Sequence, residues 1–99
     1  MKNPLVTIYV PCRNYGRYLD QCLKSVAAQL YRNWELIVFD EASSDDSESI
    51  ALEIGNRFPD KFTFIRNEKP LGLQKLANKA LDMAKGKYML RLDADDWLD

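Results

Sequence analysis

The chain has 99 residues, 46% of them hydrophobic, which suits a single domain around one core. Lys and Arg number 14 against 15 Asp and Glu, so there is no electrostatic footprint for wrapping nucleic acid or lying on an anionic membrane. With no histidine, and with Cys12 and Cys22 forming no CxxC pair, zinc has too few ligands, and two thiols without a disulfide framework fit a reducing cytosol.

Leu5 to Val10 is a short, nearly continuous apolar run, which predicts a strand covered on both faces. It is too short to span a bilayer and lacks a signal-peptide cleavage pattern, so a cytoplasmic location is expected. Pro11 should stop this strand, and Asn14-Tyr15-Gly16 is turn chemistry. Leu19, Cys22, Leu23, Val26, Ala27 and Leu30 then form one helical stripe. Trp34 to Phe39 predicts the second strand, ending at Asp40. Ser43 to Asp46 has the pattern of a capping box with acids in the first turn. The helix it opens carries Ile50, Ala51, Ile54 and Phe58 on one face, and Pro59 should close it. Phe62 to Ile65 is a third, shorter strand. Leu73, Leu76, Ala77, Ala80, Leu81 and Ala84 make a third stripe, with Gly86 as its expected C-terminal cap. Tyr88 to Leu92 is the fourth strand, running into Asp93-Ala94-Asp95-Asp96.

Strands joined by helices of this length must be parallel. The expected fold is α/β, a doubly wound parallel sheet or half of one, with four strands and three helices and no repeat or linker. The first two strands should be central, burying both Ile37 and Val38 although they point to opposite faces.

In an open parallel sheet, ligands bind outside the carboxyl ends of the strands. Those ends carry Cys12-Arg13-Asn14, Asp40-Glu41-Ala42-Ser43, Arg66-Asn67-Glu68 and Asp93-Ala94-Asp95-Asp96, so topology gathers four polar clusters at one edge. Alternate acids such as Asp93 and Asp95 suit a hard cation, Mg²⁺ or Mn²⁺, which bridges a diphosphate and offsets the charge on it as leaving group. The same acids also suit a loop capping a helix that begins at Trp97. Asp40 at the tip of an apolar strand can accept a hydrogen bond from a base N–H, whereas Ser43, Asp45 and Asp46 are explained by helix capping. Arg13 and Asn14 could hold base or phosphate, or form a solvated turn with Asn14 strained. Cys12 and Cys22 read as small buried hydrophobes.

Taken together, Val6-Thr7-Ile8-Tyr9-Val10-Pro11-Cys12-Arg13-Asn14 and Trp34 to Asp45 resemble family 2 glycosyltransferases. So do Asn67, Leu71-Gly72-Leu73, Ala77-Asn78, Gly86 and Leu92 to Asp96. The resemblance covers essentially the whole chain, with the motifs in order. It implies the GT-A fold, strand order 3-2-1-4, and transfer of a sugar from a nucleoside diphosphate donor, commonly UDP-linked, to a saccharide or lipid-linked acceptor. By that analogy Pro11, Arg13, Asn14, Asp40, Glu41, Asp93 and Ala94 lie on the nucleotide, and Asp95 holds the metal with Asp93. Inversion at the sugar is the family expectation, and the complete enzyme would work in the cytosol or at the cytosolic face of a membrane.

Three positions depart from the family pattern. Cys12-Arg13 stands where many relatives have Thr-Tyr, leaving the Arg13 guanidinium or Tyr15 to stack on a base. Glu41 replaces a frequent Asp, and Ala77 replaces an Arg that can approach the phosphates. The chain is expected to be the nucleotide-sugar-binding N-terminal domain, residues 1–99, truncated after the acidic motif. It would then bind but not turn over, because the catalytic base is expected downstream, and a bared sheet edge or helix would favour self-association. A nucleotidyltransferase is the rival enzyme class, but Pro11 to Gly16 is too poor in glycine for its phosphate loop. A receiver-like signalling module would want paired acids after the first strand. A non-catalytic nucleotide-binding or structural domain remains the third alternative.

Overall fold

A computed structural model of the protein describes residues 4–14, 16–28 and 33–93. The elements alternate: β1 (Val6–Cys12), α1 (Gly16–Ala27), β2 (Trp34–Glu41), α2 (Ser47–Gly55), β3 (Phe62–Asn67), α3 (Leu73–Met83) and β4 (Tyr88–Arg91). All strand pairs are parallel, in the order β3-β2-β1-β4. The order reverses between β1 and β4, which is the switch point where open sheets of this class take their ligands.

The two central strands alternate between two layers. Ile8, Val10, Leu36 and Val38 face α1 and α2, packing with Leu19, Cys22, Leu23, Val26, Ala51 and Ile54. Tyr9, Ile37 and Phe39 face α3, where Leu76 and Ala80 cover them. Ile37 and Val38 are 2% and 0% exposed, so β2 is buried on both faces as a central parallel strand must be.

The chain corrects four local expectations. Pro11 does not stop β1: the strand continues to Cys12, with Pro11 opposite Phe39. Tyr9 accepts a backbone bond from Leu92, so backbone groups of that parity face β4. The β4 ladder ends at the Tyr9–Arg91 pair, one step short of where an N–H at position 11 would next donate, so the proline ends pairing on the β4 side while pairing with β2 continues to Cys12. The capping box from Ser43 to Asp46 does not form either. Helix α2 starts four residues past Ser43, and Asp46 at its N-cap makes no side-chain bond. Nor does that helix reach Pro59; it stops at Gly55, where an added Cβ would run into the Phe62 ring at 2.1 Å. Phe58 still packs on the core from the following turn, edge to face with Trp34.

The fourth correction concerns α3. Its C-cap is Ala84, in an extended conformation, and not Gly86. Gly86 instead lies against β1, where a Cβ would sit 2.6 Å from Thr7 Oγ1 and 2.7 Å from Thr7 N. Its N–H donates to Thr7 Oγ1, which in turn donates to Glu35 Oε2. The α3 stripe is also only half used, since Leu73 and Leu81 are exposed. Edge strand β4 is open in the same way at Tyr88, Met89 and Leu90.

Candidate functional site

Register builds the site. At the carboxyl end of the sheet Cys12 pairs with Asp40, Asp40 with Arg66, and Glu41 with Asn67. The tips of β1, β2 and β3 therefore meet, as sheet topology predicted, although these residues are far apart in sequence.

Asp40 is completely buried, on the layer of α1 and α2. Its Oδ2 accepts from Arg66 Nη1 at 2.6 Å and from the Ser43 N–H at 3.3 Å. Its Oδ1 has no hydrogen-bond partner. A buried carboxylate oxygen left without a donor is costly, and such exceptions call for an explanation.

Glu41, one residue on, points to the α3 layer and is 6% exposed. Both its oxygens are engaged: Oε2 accepts from Asn67 Nδ2, and Oε1 from the N–H groups of Leu71 and Gly72. Glu41 thus ties the β3–α3 loop to β2. Gly72, at φ 87°, supplies the left-handed turn before α3.

Among the described residues Asn14 and Ala42 are the two non-glycine residues with positive φ, at 57° and 56°. The side chain of Asn14 crosses to the next loop, its Oδ1 accepting from Ser44 N at 2.8 Å, while its own N–H donates to Ser43 Oγ. These bonds hold the β1–α1 and β2–α2 loops together around Asp40. Asp45 completes the junction. One of its oxygens accepts from Gly16 N at the start of α1, and the other from the N–H and hydroxyl of Ser47 at the start of α2. A single carboxylate therefore serves the positive ends of two helices. Burial alone would raise the Asp45 carboxyl, but the bonds from Ser47 and Gly16 outweigh it and hold it below its ordinary 3.8.

Of the other expected residues, Pro11 is half-buried in β1 and Arg13 is exposed just beyond it. Asp93 follows β4 with its carboxylate half exposed, 3.4 Å from Arg91 Nε. Its carbonyl lies 3.6 Å from Cys22 Sγ, the donor that packs it onto α1. Ala94, Asp95 and Tyr15 lie outside the described residues. Among the described residues no group of three potential metal ligands gathers. Asp93, just past β4, offers a carboxylate oxygen of the kind that Mg²⁺ and Mn²⁺ prefer.

Sequence reasoning placed Arg66 in a polar cluster but gave it no role. Its partner follows from parallel register alone, since the first residue of the β3 polar tip stands directly across from Asp40.

Comparison with known proteins identifies the family and the fold. Residues 7–99 match the family described as Glycosyl transferase family 2. Glycosyltransferase GlyA of Streptococcus pneumoniae is 33% identical over 94 residues, covering 95% of this chain and 13% of that protein. Chondroitin synthase of Escherichia coli is 33% identical over 96 residues, covering 97% of this chain and 14% of its own length. Among solved structures, a mannosyltransferase from Pyrobaculum calidifontis in complex with GDP-Man and Mn²⁺ superposes with TM-score 0.87 at 28% identity, over 97% of this chain and 29% of that one. S. aureus TarS 1-349 in complex with UDP gives 0.85 at 28% identity, over 95% and 28%. The chain spans between 13% and 36% of the length of the curated relatives it matches. The sheet order and helix layers are those of the GT-A glycosyltransferases, and with its family match over residues 7–99 the chain belongs to glycosyltransferase family 2.

Proposed function

We propose that this chain is the donor-binding part of an enzyme that transfers a sugar from a nucleoside diphosphate sugar, UDP-linked in the first instance, to a saccharide or lipid-linked acceptor. The observation that carries the reading is Asp40: a fully buried carboxylate at the tip of a central strand, with one oxygen lacking a donor. A base N–H supplies what that oxygen lacks. Arg13, exposed at the next strand tip, is in place to lie against a base or phosphate. The structures solved with GDP-Man and Mn²⁺ and with UDP support a nucleotide-sugar donor.

Asp93 and Asp95 are the residues that would hold Mg²⁺ or Mn²⁺. The ion would supply neutralisation of the diphosphate as it leaves. The acceptor side, and the base that activates the acceptor hydroxyl with inversion at the sugar, are proposed to lie outside these 99 residues. The cytosol is the proposed compartment, in keeping with Cys12 and Cys22 buried as thiols.

The test is calorimetric titration of UDP with and without Mn²⁺, on the native chain, Asp40→Ala and Asp95→Ala. Asp95→Ala should erase the manganese effect, and Asp40→Ala should weaken UDP in both conditions. Equal enhancement by Mn²⁺ in native chain and Asp95→Ala removes the metal assignment. No binding of UDP at millimolar concentration in any condition removes the donor reading.

A further inference from the structure

We propose that Asn14 is a positioning residue for donor binding: its clasp on the β2–α2 loop fixes the backbone that carries Arg13, so the guanidinium is mounted at the strand edge before a nucleoside diphosphate arrives. The inference rests on the donor reading above and adds the means by which Arg13 is held.

Arg13 is exposed beyond the tip of β1, and it makes no hydrogen bond or ion pair with any described residue. A long side chain loses rotamer freedom when it takes up a ligand, so binding gains if the backbone beneath it is already ordered. Here that backbone is fixed on both sides. Cys12, just before it, is the last residue of β1 and stands opposite Asp40. Asn14, just after it, is held to the β2–α2 loop through both backbone and side chain. Its N–H donates to Ser43 Oγ at 2.9 Å, and its Oδ1 accepts from the Ser44 N–H at 2.8 Å and the Ser44 hydroxyl at 3.3 Å. Further on, the Gly16 N–H donates to Asp45 Oδ2 at 3.0 Å. That approach is close enough that a Cβ at Gly16 would meet Asp46 Oδ1 at 2.5 Å.

These bonds join loops 29 and 30 residues apart in sequence, so they close more than a local turn. Asn14 makes them at φ 57°, a left-handed conformation that asparagine tolerates better than most residues. Its side-chain oxygen is already engaged, so the role asked of Asn14 needs no contact with the ligand. Without the clasp, Arg13 would stand on an exposed loop between a strand end and a helix start, and the ligand would have to order it.

The experiment titrates UDP calorimetrically into the native chain, Asn14→Gly, Arg13→Ala and the double variant, with thermal melts confirming that each is folded. Glycine keeps the left-handed backbone without steric cost and removes only the side-chain half of the clasp. Asn14→Gly should weaken UDP about fivefold, the worth of about one hydrogen bond. On the Arg13→Ala background the same change should alter affinity less than about twofold, because the residue it positions is gone. Without ligand, ¹⁵N relaxation should show the Arg13 amide ordered in the native chain and more mobile in Asn14→Gly. An equal loss on both backgrounds would make Asn14 a general support of the fold and overturn the inference. So would native affinity in Asn14→Gly, or an Arg13 amide equally ordered in both. If Asn14→Gly does not fold, Ser43→Ala, which removes the acceptor of the Asn14 N–H, decides by the same cycle. UDP binding unchanged in Arg13→Ala keeps the donor reading and ends this inference. A native chain that binds no UDP ends both.

Discussion

Asp40 and Glu41 adjoin at the tip of β2, and strand alternation sends them to opposite layers of the sheet. On the α3 layer, Glu41 has both oxygens engaged within the chain, by Asn67, Leu71 and Gly72. On the α1–α2 layer, Asp40 has one oxygen held by Arg66 and Ser43 and the other without a partner. Two buried acids one residue apart thus serve different ends. Glu41 builds the loop wall, and Asp40 keeps one oxygen that no group in the chain satisfies. An acidic pair in a sequence is not one feature when it lies in a strand.

The comparison can be broken by substitution. Glu41→Ala should have the largest effect on stability, about 2 kcal/mol, because it removes the acceptor of two backbone N–H groups and of the Asn67 amide, all partly buried. Denaturant unfolding measures it, and a loss below about 1 kcal/mol would return Glu41 to the role of a surface acid. Asp40→Ala should act on binding instead, weakening UDP by about 2 kcal/mol, read by calorimetry on a chain that remains folded. If Glu41→Ala and Asp40→Ala weaken UDP equally without a stability difference, the division of labour between them is wrong.

Gly86→Ala sharpens the comparison from the far end of the strands. Its Cβ would press on backbone atoms of Thr7 and Leu5, so it should destabilise by about 1.5 kcal/mol while leaving UDP affinity unchanged. The smallest effect belongs to Asp45. Its carboxyl titrates below 3.8 in the folded chain, so its contribution is complete above the unfolded value and is lost as pH falls below about 4. Thermal melts from about pH 5 to pH 2.5 should show a slightly steeper acid loss in the native chain than in Asp45→Asn. Parallel curves for the two would show that Asp45 does not staple the helix starts.

Most of the architecture was legible because each element carries a simple periodicity. The apolar run of β2 and the stripe of Leu19, Cys22, Leu23 and Val26 demanded a two-sided strand and a one-sided helix, and both are found. The polar tips of β1, β2 and β3 converge for the same topological reason. Other features depend on distances that no local pattern encodes. Ser43 looks like a helix cap, yet its hydroxyl accepts from Asn14, 29 residues earlier. Gly86 looks like a C-cap, but strand β1 passes too close for a side chain. The Arg66–Asp40 pair appears only once register is known. Leu73 and Leu81 complete a helical stripe that these residues leave uncovered, so periodicity over-predicted burial there.

The central claim is that a nucleoside diphosphate binds at the carboxyl edge of the sheet, against Asp40. Titration of UDP and Mn²⁺ into the ¹⁵N-labelled chain tests it most directly, by mapping which backbone amides respond. The account predicts saturable shifts at Arg13, Asn14, Ser43 and Arg66, with Lys61 and Lys85 at the opposite ends of the strands unmoved. Shifts confined to that opposite end, or none at any of these tips at millimolar UDP, would contradict it.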